Sequence, residues 1–169
     1  MTRLIRSITS ALAIAALIAA LIAALIAAPV AAGEQRPVHG QFTGFGVAAD
    51  QRCGPDALTL GFVITGVTSH LGRLTGSGTN CTELTLGTQA VPIWHGIVTL
   101  EAADGSTLSA SYEGHQGAPE AGVATFLHND TILGGTGRFE GATGEWTISG
   151  LIDLTNLTVS GTVSGWLDY

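Results

Sequence analysis

The chain has 169 residues, with 13 acidic side chains against six arginines and no lysine, for a formal charge of −7. Beyond residue 32 only Arg36, Arg52, Arg73 and Arg138 oppose all 13 acids, a formal −9. Such a surface repels phosphate backbones and anionic lipids, which points away from nucleic-acid and membrane-surface roles. Without lysine there is neither a P-loop lysine nor a Schiff base.

Arg3 and Arg6 precede an unbroken Ala/Leu/Ile run from Ala11 to Ala28, followed by Val30-Ala31-Ala32. A charged start, an apolar run and small residues at minus three and minus one describe a secretory signal over residues 1–32, cleaved after Ala32. The alternative is a retained anchor, since the run approaches the roughly 20 residues that span a bilayer. Secretion implies an extracellular or periplasmic location. Residues 33–38 carry Glu34, Gln35, Arg36 and Pro37 and read as a flexible leader to one domain, residues 39–169, long enough to bury a core.

From His39 onward the pattern has period two. A first strand is expected near Gln41 to Ala48. Leu58, Leu60, Phe62 and Ile64 then alternate with Thr59, Gly61, Val63 and Thr65, giving a strand with one apolar face. Cys53 and Cys81 flank it and are the only cysteines, so in an oxidising compartment they are expected to form a disulfide. A metal pair would call for C-x-x-C spacing or a neighbouring histidine, and neither is present. Neither a metal nor a cofactor is expected.

Gly72 to Gly78 carries a short Gly-Arg-apolar-x-Gly turn signal, and a strand near Asn80 to Leu86 follows. Ile93 to Glu101 and Ser106 to Glu113 flank Ala103-Asp104-Gly105, and Asp-Gly between two alternating runs predicts a hairpin. Glu113, His115 and Glu120 sit among Gly114, Gly117 and Pro119, which describes a loop. Gly122 to Ile132 reads as a further strand.

Within that strand His128-Asn129-Asp130 is the densest polar cluster, and His95 lies in the Ile93 to Ile97 run. His128 and Asp130 share parity, so they point to one face roughly 7 Å apart. One reading places His95, His128 and Asp130 in a ligand pocket or proton-handling site. The other leaves them lining a strand end near solvent.

Thr131 to Trp146 holds five glycines, at 134, 135, 137, 141 and 144, interleaved with Arg138, Phe139 and Trp146. Gly135, Gly137 and Gly141 miss the G-x-G-x-x-G spacing and open no helix, so no nucleotide site is expected. Gly134, Gly135, Gly137, Arg138, Phe139, Gly141 and Gly144 form instead a structural turn, with Phe139 and Trp146 packed beneath it. Arg138 and Arg73 are placed to brace such turns through backbone carbonyls or carboxylates. Glu145 to Leu154 and Leu157 to Leu167 complete about eight strands, which favours a closed antiparallel barrel, with a β-sandwich as the alternative. No G-x-S-x-G elbow marks a serine hydrolase.

Ile132 to Trp146 resembles the late segment of the allene oxide cyclase and dirigent barrel superfamily. Ser69 to Thr75, and Ala102 to Leu108 leading into Tyr112, resemble small secreted bacterial proteins with this domain. The resemblance spans Phe62 to Tyr169 and implies an eight-stranded, calycin-like barrel whose interior holds an apolar ligand. The barrel is expected to be a secreted, disulfide-stapled binder of a small apolar ligand or a partner, or a cyclase or dirigent-type enzyme steering a hydrophobic intermediate; the strands and turns alone also allow a carbohydrate-binding sandwich with aromatics on an exposed platform.

Overall fold

A computed structural model of the chain describes residues 34–83 and 89–169. The segment expected as a signal, residues 1–32, lies outside the described residues. Eight strands follow in order: β1 (Arg36–Val47), β2 (Ala57–Thr68), β3 (Gly72–Glu83), β4 (Val91–Ala102), β5 (Thr107–Gln116), β6 (Val123–Gly135), β7 (Thr143–Asp153) and β8 (Thr158–Asp168). Each pairs antiparallel with its neighbour, and β8 returns to β1, closing the barrel. Closure leaves no unpaired edge and excludes the sandwich.

Alternation decides which side chains face inward. Leu60, Phe62 and Ile64 of β2, and Val98 and Leu100 of β4, line the lumen, while Thr65, Thr75 and Thr99 face out. The Asp104-Gly105 hairpin forms as expected, with Gly105 at φ 81° and Asp104 Oδ1 accepting from the Ser106 N–H at 3.0 Å. That bond and Arg138 hold the Asp104 carboxyl below its usual range.

The leader is shorter than the sequence suggested. Arg36 to Val38 already pair with β8, and Val38 is fully buried against it. Strand β8 would otherwise present unpaired backbone there, and Arg36 further stacks over the Tyr169 ring at 4.5 Å. Gly72 to Gly78 also departs from the turn reading, being the first half of β3. Arg73 lies exposed on that strand, and its side chain makes no hydrogen bond or ion pair among the described residues.

The β6–β7 connection closes one end of the barrel. Gly134 and Gly135 still belong to β6, a 3-10 turn spans Gly137–Phe139, and Gly144 is already in β7. Positive φ at Gly137 (61°) and Gly141 (74°) lets the chain fold over the opening, where an L side chain would be strained. Phe139 is thereby driven into the core with no exposed surface, edge-on to Tyr169 at 5.1 Å. Arg138 braces this cap, donating to the Leu71 carbonyl at 2.9 Å and lying 3.3 Å from Asp104.

Inside the wall, aromatic rings lie across glycines of the adjacent strand. Phe62 faces Gly78, Phe126 faces Gly150, Phe42 faces Gly161 and Tyr112 faces Gly96. A Cβ at Gly78 would stand 2.5 Å from Phe62, and one at Gly150 2.7 Å from Phe126. The rings therefore rest flat on the sheet.

Candidate functional site

Because the rings lie against the wall, the centre of the barrel stays open as a cavity of about 200 Å³. Its walls are mostly aliphatic and aromatic, from Phe42, Phe62, Ile64 and Leu74 round to Phe126, Ile148 and Val163. The end under Phe139 is sealed. At the other end the lining reaches Val47 and Leu157, 39% and 49% exposed, beside the β1–β2 and β7–β8 connections. Among the described residues, that end is the open one.

Few polar side chains enter this volume; beside Gln41 and Thr68, the group formed by Asn80 of β3, Tyr112 of β5 and His128 and Asp130 of β6 is the main one. His128 Nδ1 lies 2.6 Å from Asp130 Oδ1. The pair is 14% and 3% exposed. Asp130 is thus a buried acid whose only side-chain hydrogen bond among the described residues is to His128. The imidazole is held between rings, 4.4 Å from Tyr112 and 5.8 Å from Phe126, centroid to centroid. Its cross-strand partner is Gly114, where a Cβ would meet His128 at 2.6 Å.

Tyr112 extends the network, its hydroxyl donating to Asn80 Oδ1 at 3.2 Å while Asn80 Nδ2 donates to the Cys81 carbonyl at 3.3 Å. Burial pushes the Tyr112 phenol well above its ordinary range, and the nearby Asp130 charge adds to the shift against a smaller opposing effect of Arg52. The phenol therefore stays protonated and acts as a donor. Trp146, cross-strand from Asp130, brings a buried indole N–H with no acceptor among the described residues, and Thr68 a buried hydroxyl likewise unpaired.

His95 does not join this group. Between Ile93 and Gly96 β4 carries one residue more than β5, so the alternation slips. His95 takes φ 49° and turns outward. Of the three expected pocket residues the fold brings His128 and Asp130 together and leaves His95 outside. At the bulge, the His95 carbonyl accepts from Arg52, which also bonds Thr79.

Arg52 belongs to a strap that crosses the outer wall. Cys53 and Cys81 form the expected disulfide, with Cα atoms 5.6 Å apart. Gln51 Oε1 accepts from the Thr59 N–H at 3.0 Å and the Arg52 N–H donates to Thr59 Oγ1 at 2.9 Å, so the β1–β2 connection is sewn to β2 and β3. The strap ends beside Asn80, one residue before Cys81.

The sequence reading missed Tyr112, Asn80 and Trp146 as lumen groups. The signal for Tyr112 was its parity with Leu108 and Ala110. Asn80 carried the same kind of signal, since it shares parity with Leu74 and pairs with Leu60, both of which line the lumen. Trp94 and Trp166 are both half-buried, so neither forms the exposed platform of a carbohydrate site. Among the described residues no cluster of three metal-ligating side chains forms.

No family model and no curated protein matches the chain. Among solved structures it is similar to the pterocarpan synthase dirigent protein PsPTS1, at 14% identity and a TM-score of 0.43, over 82% of this chain and 97% of that one.

Proposed function

We propose that the chain is a secreted, disulfide-stapled barrel that binds one small, neutral, largely apolar molecule in its lumen. The observation that carries this reading is the cavity itself, about 200 Å³ of mostly apolar space with few polar groups in its wall. A dry apolar cavity of about 150 Å³ accepts benzene, so this lumen suits a ligand somewhat larger than one ring. An apolar body is held by burial, and a polar substituent is oriented by His128, Asp130 or the Trp146 indole. An anionic ligand fits poorly, because the carboxyl of Asp130 would repel it in a poorly screened interior. The apolar N-terminal run and the disulfide support secretion.

Native mass spectrometry of protein purified from its own host tests this directly. A bound small molecule is expected, lost in Ile148→Trp, whose indole would occupy the lumen. Retention of the ligand by a folded Ile148→Trp variant would place binding elsewhere and overturn the reading.

A further inference from the structure

The polar cluster of the lumen has the arrangement of a proton-transfer site. The 2.6 Å contact between His128 Nδ1 and Asp130 Oδ1 places the imidazole proton on Nδ1 when Asp130 is ionised. Nε2 is then left with a lone pair, and it takes no hydrogen bond among the described residues. Stacking on Tyr112 and Phe126 fixes the ring plane, and the ring lines the cavity. Asp130 would also stabilise the imidazolium that forms when Nε2 accepts a proton, the part a buried carboxylate plays behind a catalytic histidine.

We propose that the barrel catalyses proton transfer at carbon, with His128 Nε2 as the general base acting on a neutral apolar carbonyl compound. This rests on the ligand reading above. Protons on oxygen or nitrogen exchange with water unaided, whereas a carbon proton leaves slowly and gains from a positioned base. In a neutral apolar ligand the removable carbon proton is the one beside a carbonyl. The C–H bond breaks, its electron pair forms the enolate double bond, the carbonyl π pair moves to oxygen, and the proton goes to Nε2. It then returns to the same carbon or, in an unsaturated ketone, to the far end of the conjugated system. Nothing is oxidised or reduced and no co-reactant is consumed. Tyr112 is not the base, since its phenol stays neutral and donates to Asn80. Among the described residues the unpaired Trp146 indole N–H, across the strand pair from Asp130, is a donor available for the enolate oxygen. His128 is the catalytic residue and Asp130 a positioning residue.

Cyclohex-3-en-1-one serves as probe, incubated with the full chain in deuterated buffer. Saturation-transfer NMR reads binding, proton NMR reads deuterium uptake beside the carbonyl, and absorbance reads the conjugated isomer. The wild type is expected to exchange at least about 10²-fold faster than a folded His128→Gln variant that still binds the probe. Asp130→Asn should slow exchange and move the imidazole proton to Nε2, visible in the ¹⁵N shifts of His128. Wild-type exchange at the buffer rate despite binding would overturn the catalytic proposal and leave the ligand reading standing. So would a wild-type ¹⁵N spectrum with the neutral ring protonated on Nε2, a result that needs no variant to fold. Absence of probe binding, together with no co-purified ligand, would instead overturn the ligand reading and the catalytic proposal with it.

Discussion

Arg138 Nη2 donates a 2.9 Å hydrogen bond to the carbonyl oxygen of Leu71, 67 residues earlier, tying the β6–β7 cap to the β2–β3 turn. The same guanidinium lies 3.3 Å from Asp104, but both of those side chains are 39–50% exposed, so that contact adds little. Arg138→Ala is expected to lower stability by about 1 kcal/mol, the ordinary net worth of one such bond. Urea unfolding should show a lower midpoint with an unchanged slope, and high salt should leave the difference nearly intact. A loss abolished by salt would assign the effect to Asp104.

Gly96 lies under the Tyr112 ring, and a Cβ there would fall inside the ring's van der Waals envelope. Gly96→Ala is therefore expected to destabilise by about 1–3 kcal/mol, as overpacking of a close-fitted wall does. Near-UV circular dichroism should change with it, because Tyr112 must leave its place against His128. An unaltered tyrosine band and melting temperature would contradict the packing described.

The Cys53–Cys81 bridge closes a loop of 28 residues. Replacing both cysteines by serine should cost about 3–4 kcal/mol if the unfolded chain is what the bridge constrains. Chemical unfolding with and without a reducing agent checks this. Wild type under reducing conditions should match the variant, and the variant should ignore the reductant.

The Tyr112 phenol is held above its ordinary range by burial and by Asp130. The unfolded phenol loses its proton near about pH 10, whereas the folded one keeps it. Tyr112 therefore contributes stability that is complete below that pH and is lost as pH rises above it. Absorbance titration should show Tyr112 ionising only with unfolding, and Tyr112→Phe should flatten the alkaline decline. A reversible Tyr112 titration in the folded protein near pH 10 would refute this.

Strand positions were legible wherever alternation ran unbroken, as along Leu58 to Thr65, and the Asp104-Gly105 hairpin was legible from turn chemistry. That His128 and Asp130 share a face followed from parity, whereas their 2.6 Å contact did not. Parity failed at His95, because one extra residue in β4 reverses inside and outside, and the need for that residue arises only in the register with β5. Asn80 keeps the parity of Leu74 and was overlooked only because a polar residue in a Thr- and Gly-rich run does not announce an inward face. Val38 escaped because its burial comes from β8, over a hundred residues away, and nothing local in a Pro- and Arg-containing segment announces it. The open lumen was least visible, since it depends on which glycine faces which ring.

Those ring-and-glycine partners carry a consequence for how the barrel can diverge. Phe62 with Gly78, Phe126 with Gly150 and Phe42 with Gly161 are each one unit of inheritance: a side chain gained at the glycine would tip its ring into the centre and fill it. A solid barrel and a hollow one are thus a methyl group apart at positions that need not touch any ligand. In diverging descendants that keep the hollow, the two members of each couple should change together or not at all.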